Sequence, residues 1–280
     1  MKRVGFRWIA RGSCRHPEAM TLQGGSLCAA TFPAMVGVIR HPEAGTLLFD
    51  TGYDAAFMRA TRQWPERLYR LATPVDLGGD GDRDSWLASQ GVAASEITGV
   101  IVSHFHGDHV AGLPGFPGAP LYCARAGLER VRSGNRLQRV FQGLLGDLVP
   151  PDVEARARYF EDAAAAALPA AFAPITEGRD LLGDGSLLAV ELPGHCPGHW
   201  GLALRTHEDR HVLLAADAAW SGGAIATCTP PPRLTTAFLG DTGPYRQTLA
   251  LLHQTSLRNP GLAILPSHCA ASAAAFRQDP

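Results

Sequence analysis

The period of apolar positions changes several times along the chain, and each change marks an element. Val4 to Ile9 alternates apolar and polar residues, the two-residue repeat of a strand with one buried face. Met35-Val36-Gly37-Val38-Ile39, Thr46-Leu47-Leu48-Phe49, Ile97 to Val102, Leu187 to Leu192, Gly201 to Leu204, Val212 to Ala216 and Leu262 to Leu265 are short apolar runs bounded by turn residues. Runs of that length and composition read as strands covered on both faces. Ser26 to Thr31 and Pro120 to Cys123 read as two shorter strands.

Between these runs the spacing turns helical. Asp54 to Ala72 sets Phe57, Leu68, Tyr69 and Leu71 among arginines, and Pro65 divides it into two pieces. Tyr245 to His253 is amphipathic, with Asp241 as N-cap and Pro244 in the first turn. Residues 126 to 168 are Arg-rich and broken by Pro150-Pro151, with an alanine run at 163 to 167, and read as a helical insertion. That insertion is either a packed excursion or a cap over a site on the scaffold. Strands, helix and strands again, without repeats or a long linker, point to one α/β domain over residues 1–280.

Polar residues fall just beyond several of the apolar runs. Ser103-His104-Phe105-His106-Gly107-Asp108-His109 follows the strand at 97–102. His104 and His106, two apart on extended backbone, face the same way. Gly107 permits a sharp turn that returns Asp108 and His109 towards them. Neutral imidazole is the commonest metal ligand, and an adjacent carboxylate suits zinc or a similar divalent ion. Asp50 ends the strand at 46–49, where it either starts a turn or hydrogen-bonds a metal-ligating histidine from behind. Pro193-Gly194-His195-Cys196-Pro197-Gly198-His199 is a tight loop after Leu192. Asp217 closes the strand at 212–216, where a buried carboxylate is costly unless paired or metal-bound. His268 lies just past Leu265. Jointly these positions point to one metal site completed from distant strand ends. His16 and His41, each beside a proline, read as surface turn residues, and Cys196 and Cys269 as neighbours of ligands.

Composition narrows the partners. Lys plus Arg is 25 against 26 for Asp plus Glu, a net charge of −1, without the basic surface of a nucleic-acid binder or a polybasic membrane anchor. The six cysteines are scattered, as for free thiols in a reducing cytosol. Arg7 and Arg11 interrupt any signal-like apolar segment near the start, and no apolar run approaches the length of a membrane span. The expectation is a soluble, cytoplasmic protein acting on a small molecule, without nucleic-acid or membrane partners and with a homodimer left open.

Phe49-Asp50-Thr51-Gly52, the Ser103–His109 stretch, Pro193-Gly194-His195, Ala216-Asp217 and Ser267-His268 together resemble the metallo-β-lactamase-fold hydrolases in order and approximate spacing, from about residue 30 to 270. The resemblance implies a four-layer αβ/βα sandwich with its site at one edge between two sheets. It implies one metal on His104, His106 and His195, a second on Asp108, His109 and His268, and Asp217 bridging. His199 resembles a second histidine that lies outside the ligand set. Two divalent ions are implied, zinc first, with manganese and iron as alternatives. A metal-bridging hydroxide would attack the substrate, with Asp108 orienting it and shuttling a proton.

The nearest members are N-acyl homoserine lactonases, with glyoxalase II-like enzymes beside them. The resemblance therefore implies hydrolysis of an ester, lactone or thioester. Phosphodiester or phosphotriester hydrolysis is the alternative, and a non-catalytic metal sensor is the second. Lactonases carry a tyrosine three residues after the bridging aspartate, where this chain has Trp220. Trp220 brings only an indole N–H and an apolar face, and with Phe116 it is expected in the substrate pocket.

Overall fold

The computed structural model describes residues 1–79 and 81–276, so Asp80 and the last four positions of the 1–280 domain lie outside it. Seven strands come from the N-terminal part: β1 (Arg3–Pro17), β2 (Ala29–His41), β3 (Gly45–Phe49), β4 (Val75–Asp76), β5 (Ile97–Ile101), β6 (Leu121–Cys123) and β7 (Ala157–Tyr159). They lie in the order β7-β6-β5-β3-β2-β1, with β4 on β1. Six more follow: β8 (Ala164–Ala167), β9 (Glu177–Asp180), β10 (Leu188–Glu191), β11 (Trp200–Thr206), β12 (His211–Ala216) and β13 (Ala263–Pro266), each paired with the next. The two sets join where Arg3 and Val4 of β1 pair with Arg205 and Thr206, past the point at which β10 leaves β11.

The continuous apolar runs are explained by three cores. Met35 and Ile39 of β2, Leu47 and Phe49 of β3, Leu202 and Leu204 of β11, and Val212 and Leu214 of β12 meet between the sheets. The alternate positions Val36, Val38 and Leu48 face outward onto Phe57, Leu87 and Leu128 of helices Ala55–Ala60, Arg83–Ser89 and Arg125–Arg132. On the other side Ala203, Leu213 and Ala215 face Ile225, Leu249 and Leu252 of helices Gly222–Thr227 and Thr242–Arg258. Each central strand therefore buries both sets of alternating side chains, and the layers run helix, sheet, sheet, helix. The helix pair split by Pro65 is Ala55–Ala60 and Arg67–Ala72, and the Asp241 carboxylate accepts from the Gly243 N–H as N-cap.

Several expectations change. The alanine run is not helical: Ala164–Ala167 is strand β8, antiparallel to β9 from Ala164 beside Asp180 to Ala167 beside Glu177. Alanine's helix preference is weak against tertiary pairing, and four residues are too few to nucleate a helix unaided. Helices occupy only part of the 126–168 insertion, as Arg125–Arg132, Arg136–Phe141 and Val153–Arg156. The separate strands at 26–31 and 35–39 are one strand, β2, which carries Pro33 opposite an irregularity in β1 where a missing N–H is tolerated. His41 is buried rather than superficial. Its Nδ1 accepts the Glu43 and Ala44 N–H groups and its Nε2 meets Asp184 at 2.9 Å, closing the turn from inside.

Candidate metal centre

The two carboxylates that frame the centre are delivered by sharp bends at strand ends. Asp50, just past β3, has φ of 60°, and Ala216, just before Asp217, has φ of 46°. Left-handed backbone at a non-glycine residue costs about 1 kcal/mol or more and persists only where surroundings enforce it. At Asp50 those surroundings are a full set of donors to a wholly buried carboxylate. Ser103 N–H donates to Oδ1 at 2.8 Å, and Ser103 Oγ and His109 Nδ1 donate to Oδ2 at 2.8 Å each. At Asp217 the backbone N–H donates to His199 Nε2 at 3.1 Å, and His199 Nδ1 donates to the Leu192 carbonyl at 2.9 Å. Both nitrogens of His199 are thereby committed, so this ring positions Asp217 and has no lone pair for an ion.

Gly107 has a different role from the expected sharp turn. It opens the short helix Gly107–Val110, which follows directly on His106. A Cβ there would press on Phe57, Tyr69 and Leu145 at 3.0 to 3.2 Å, so glycine serves close packing. The turn of helix carries Asp108 and His109 inward, while the extended His104 and His106 point to the same space.

All seven residues expected as ligands converge. His104, His106 and His195 form one set and Asp108, His109 and His268 another, the ligating atoms of each lying within 4.8 Å of one another. Asp217 stands between them. Its Oδ2 is 3.3 Å from His195 Nε2 and 3.2 Å from His268 Nε2, and its Oδ1 is 3.3 Å from His109 Nε2. Hydrogen bonds behind the rings set their tautomers: His109 Nδ1 donates to Asp50 and His268 Nδ1 to the Pro33 carbonyl at 2.7 Å. Each then turns Nε2 to the centre, as carboxylate- and carbonyl-backed ligands do. Cys196 also comes near the first set, but burial, with Asp217 beside it, pushes its thiol well above the ordinary range. Cys269 Sγ caps the helix Ala270–Ala275, accepting the Ser272 N–H at 3.4 Å.

The electrostatics divide the histidines. Burial lowers His104 and His195 far below the usual imidazole range and His106 to about 4. Burial also acts against a charge on His109 and His268, but Asp217 and Asp108 outweigh it and raise both well above that range. Asp108 and Asp217 are correspondingly held low despite burial, by His109 and His268. The donor set fits divalent metal: Nε2 of His104 and of His109 and Oδ1 of Asp217 are buried without hydrogen-bond partners. His106 Nδ1 and His195 Nε2 lie 3.0 Å apart, a separation that needs a proton or a cation between two neutral rings.

Beside the centre opens a cavity of about 300 Å³, to which His106, Asp108, Asp217 and His268 contribute. Trp220 forms part of its wall, tilted over His268 with ring centres 5.1 Å apart. Phe116 is elsewhere: it is buried in the helix-side core beneath Arg83 and does not line this cavity, because the turn at Leu113–Gly115 directs it inward. The 126–168 insertion contributes Val140, Phe141 and Gly143, and the Gly143 carbonyl accepts the Gly107 N–H at 3.1 Å. Most of the wall was not read from the sequence, and Tyr69 and His16 are the two missed residues that bring polar groups closest to the chemistry. Tyr69, taken as one apolar position of a helix, places its hydroxyl 3.5 Å from Asp108 Oδ1. His16, taken as superficial, is 4% exposed and lines the cavity, because β1 runs on through it to Pro17. Its polar–apolar alternation around Cys14 was the available signal.

Residues 30–254 match the family model described as the metallo-beta-lactamase superfamily. The chain is 28% identical over 139 residues to the N-acyl homoserine lactonase AttM of Azorhizobium caulinodans, across 47% of this chain and 44% of that protein. It is 28% identical over 147 residues to AttM of Rhizobium radiobacter, across 50% and 49%. The match thus spans about half the length of these curated relatives. Among solved structures, an N-acyl homoserine lactone hydrolase with the product N-hexanoyl-L-homoserine at its catalytic metal centre aligns with a TM-score of 0.73 at 18% identity, over 99% of this chain and 98% of that one. AidC, a dizinc quorum-quenching lactonase, aligns at 0.61 with 14% identity over 96% and 92%. At these identities the structures show a shared fold.

Proposed function

The chain belongs to the metallo-beta-lactamase superfamily, and from that premise we propose that it is a dinuclear metal-dependent hydrolase that opens a lactone or cleaves a related ester or thioester. One observation carries the reading: seven buried donors from separate strand ends converge, several lacking any other partner, at the floor of a largely apolar cavity. His104, His106 and His195 would hold one ion, Asp108, His109 and His268 the other, and Asp217 both. Two such ions, zinc being the first expectation, supply a hydroxide nucleophile at neutral pH by lowering the pKa of water.

The remaining roles belong to the chain itself. Asp50, Ser103 and Pro33 orient the imidazoles from behind, and His199 holds the backbone of Asp217. Asp108, with Tyr69 donating to it, stands at the cavity floor, where a carboxylate can orient a nucleophile and pass a proton to a leaving oxygen or sulfur. Trp220, Val140 and Phe141 give the apolar wall for a substrate's chain and keep bulk water from it. A small-molecule substrate suits that volume, and among the described residues no helix is long and apolar enough to cross a membrane.

A panel of lactone, ester, thioester, phosphodiester and phosphotriester, assayed with and without chelator, tests the reading. Chelator-sensitive turnover of the carbonyl substrates is expected. Turnover confined to phosphorus esters would replace the substrate class, and none at all would refute hydrolysis. Asp217→Asn should lower metal content and rate together, and metal analysis of protein purified without added zinc identifies the ion.

A further inference from the structure

His16 is a buried titratable residue to which the chemistry above gives no task. It belongs to neither ligand set, yet it lines the same cavity as Asp108, Trp220 and His268. Its ring is fixed on three sides. One face stacks on Phe32 with ring centres 4.0 Å apart and planes 9° from parallel. The edge meets Trp220 at 5.7 Å and 81°, and Trp220 in turn lies over His268. The Nδ1–H donates to the Pro17 carbonyl at 3.0 Å. Burial also keeps the imidazole below its ordinary range and hence neutral at pH 7.

A neutral ring with its proton on Nδ1 can only accept at Nε2. No side chain or backbone group takes up that nitrogen among the described residues, whereas two of the three threonines of the cavity, Thr21 and Thr73, donate to the carbonyls of Glu18 and Tyr69; the third, Thr235, lies on the helix Arg233–Leu239. An acceptor held at one position and angle in a largely apolar wall discriminates between ligands, because a ligand without a matching donor leaves it unpaired.

We propose that His16 is a specificity-determining residue whose Nε2 accepts a hydrogen bond from an N–H or O–H group of the substrate, outside the bond that is cleaved. The inference rests on the hydrolase reading and adds a substrate feature to it: an apolar chain together with a hydrogen-bond donor near the scissile group. Trp220 and Phe32 hold the ring, so that the donor is read by position as well as by type.

The test uses matched lactones that differ only in the donor. N-hexanoyl homoserine lactone is compared with its N-methyl amide, and an α-hydroxylated γ-decalactone with γ-decalactone itself. In the wild type the donor-bearing member of at least one pair should have a KM about five- to tenfold lower, the scale of one neutral hydrogen bond, with kcat similar. The pair that shows the difference identifies N–H or O–H as the group read. His16→Phe, which keeps a ring on Phe32, should abolish that difference between the members of the pair, and His16→Gln should restore part of it. Equal KM values within both pairs in the wild type overturn the inference without recourse to any variant. So does an equal loss on both members of a pair in His16→Phe. If the wild type shows no chelator-sensitive turnover of any lactone, ester or thioester, the hydrolase reading fails and this inference with it; if only esters or thioesters turn over, pairs of those matched in the same way carry the comparison. Turnover with equal KM values removes this inference alone.

Discussion

The most informative single change is Asp50→Asn, which is nearly isosteric and suits the left-handed backbone that Asp50 adopts at φ of 60°. The carboxylate accepts three hydrogen bonds, from Ser103 N–H on one oxygen and from Ser103 Oγ and His109 Nδ1 on the other. An amide has one oxygen. If that oxygen faces His109, the new NH₂ confronts the Ser103 N–H, and a buried backbone donor is left unmatched. If the amide is reversed, the NH₂ confronts His109 Nδ1–H, and the imidazole loses the bond that aims its Nε2 at Asp217. Either arrangement should cost about 1–3 kcal/mol of stability, the scale of one buried unsatisfied group. For a chain of this size that lowers the melting temperature by roughly 2–4 °C per kcal/mol. The same loss of orientation should weaken metal binding about 10- to 100-fold, the range seen when partners behind a ligating histidine are removed. Competition with a chromophoric chelator measures the affinity, and denaturant unfolding of the metal-free protein measures the stability. Wild-type affinity in a correctly folded Asp50→Asn protein would refute the claim that Asp50 orients a ligand.

Three further outcomes follow from the same geometry. For the metal-free protein, His104, His106 and His195 are lowered, so the unfolded chain takes up more protons as pH falls below the ordinary value of 6.5 and stability drops. His109 and His268 are raised, so their contribution is present below 6.5 and is lost as pH rises through their folded values. Maximum stability of the metal-free form near pH 6.5, falling on both sides in denaturant titrations, is expected, and a monotonic profile would contradict it. Burial pushes Cys14 up to about 11, leaving roughly one thiolate in a thousand at pH 8, so iodoacetamide should label exposed Cys28 far faster by mass spectrometry; equal rates would be inconsistent with this environment. In Gly194→Ala the new Cβ would lie 2.0 Å from the Tyr245 nitrogen, at a φ of 121°. The loop must move by more than an ångström and carry His195 with it, so lower melting temperature and loss of one metal equivalent are expected. Full metal content at wild-type stability would refute the close approach.

The residues alone determined much of the layered fold and the identity of the polar cluster. Strands such as Val212–Ala216 announce burial on both faces by being apolar throughout, and a ligand just past a strand end is visible as a polar residue breaking such a run. That logic reached all seven converging side chains and left Asp50 between two readings, whereas the place of His199 outside the ligands was implied only by the family resemblance. It failed where a local preference met a tertiary partner. Ala164–Ala167 has the composition of a helix but takes the free edge of β9. Gly107 has the permissiveness of a turn residue but is there for Phe57 and Tyr69. Phe116 looked close to the centre in sequence and is directed away from it, whereas Tyr69 and His16, 39 and 92 positions before Asp108, are brought to the cavity. Ligand spacing is a property of single strand ends, which a sequence displays directly. Which side chains wall the cavity depends on how helices Arg67–Ala72 and Arg136–Phe141 and the β1–β2 pair pack over those ends, and only tertiary packing decides that.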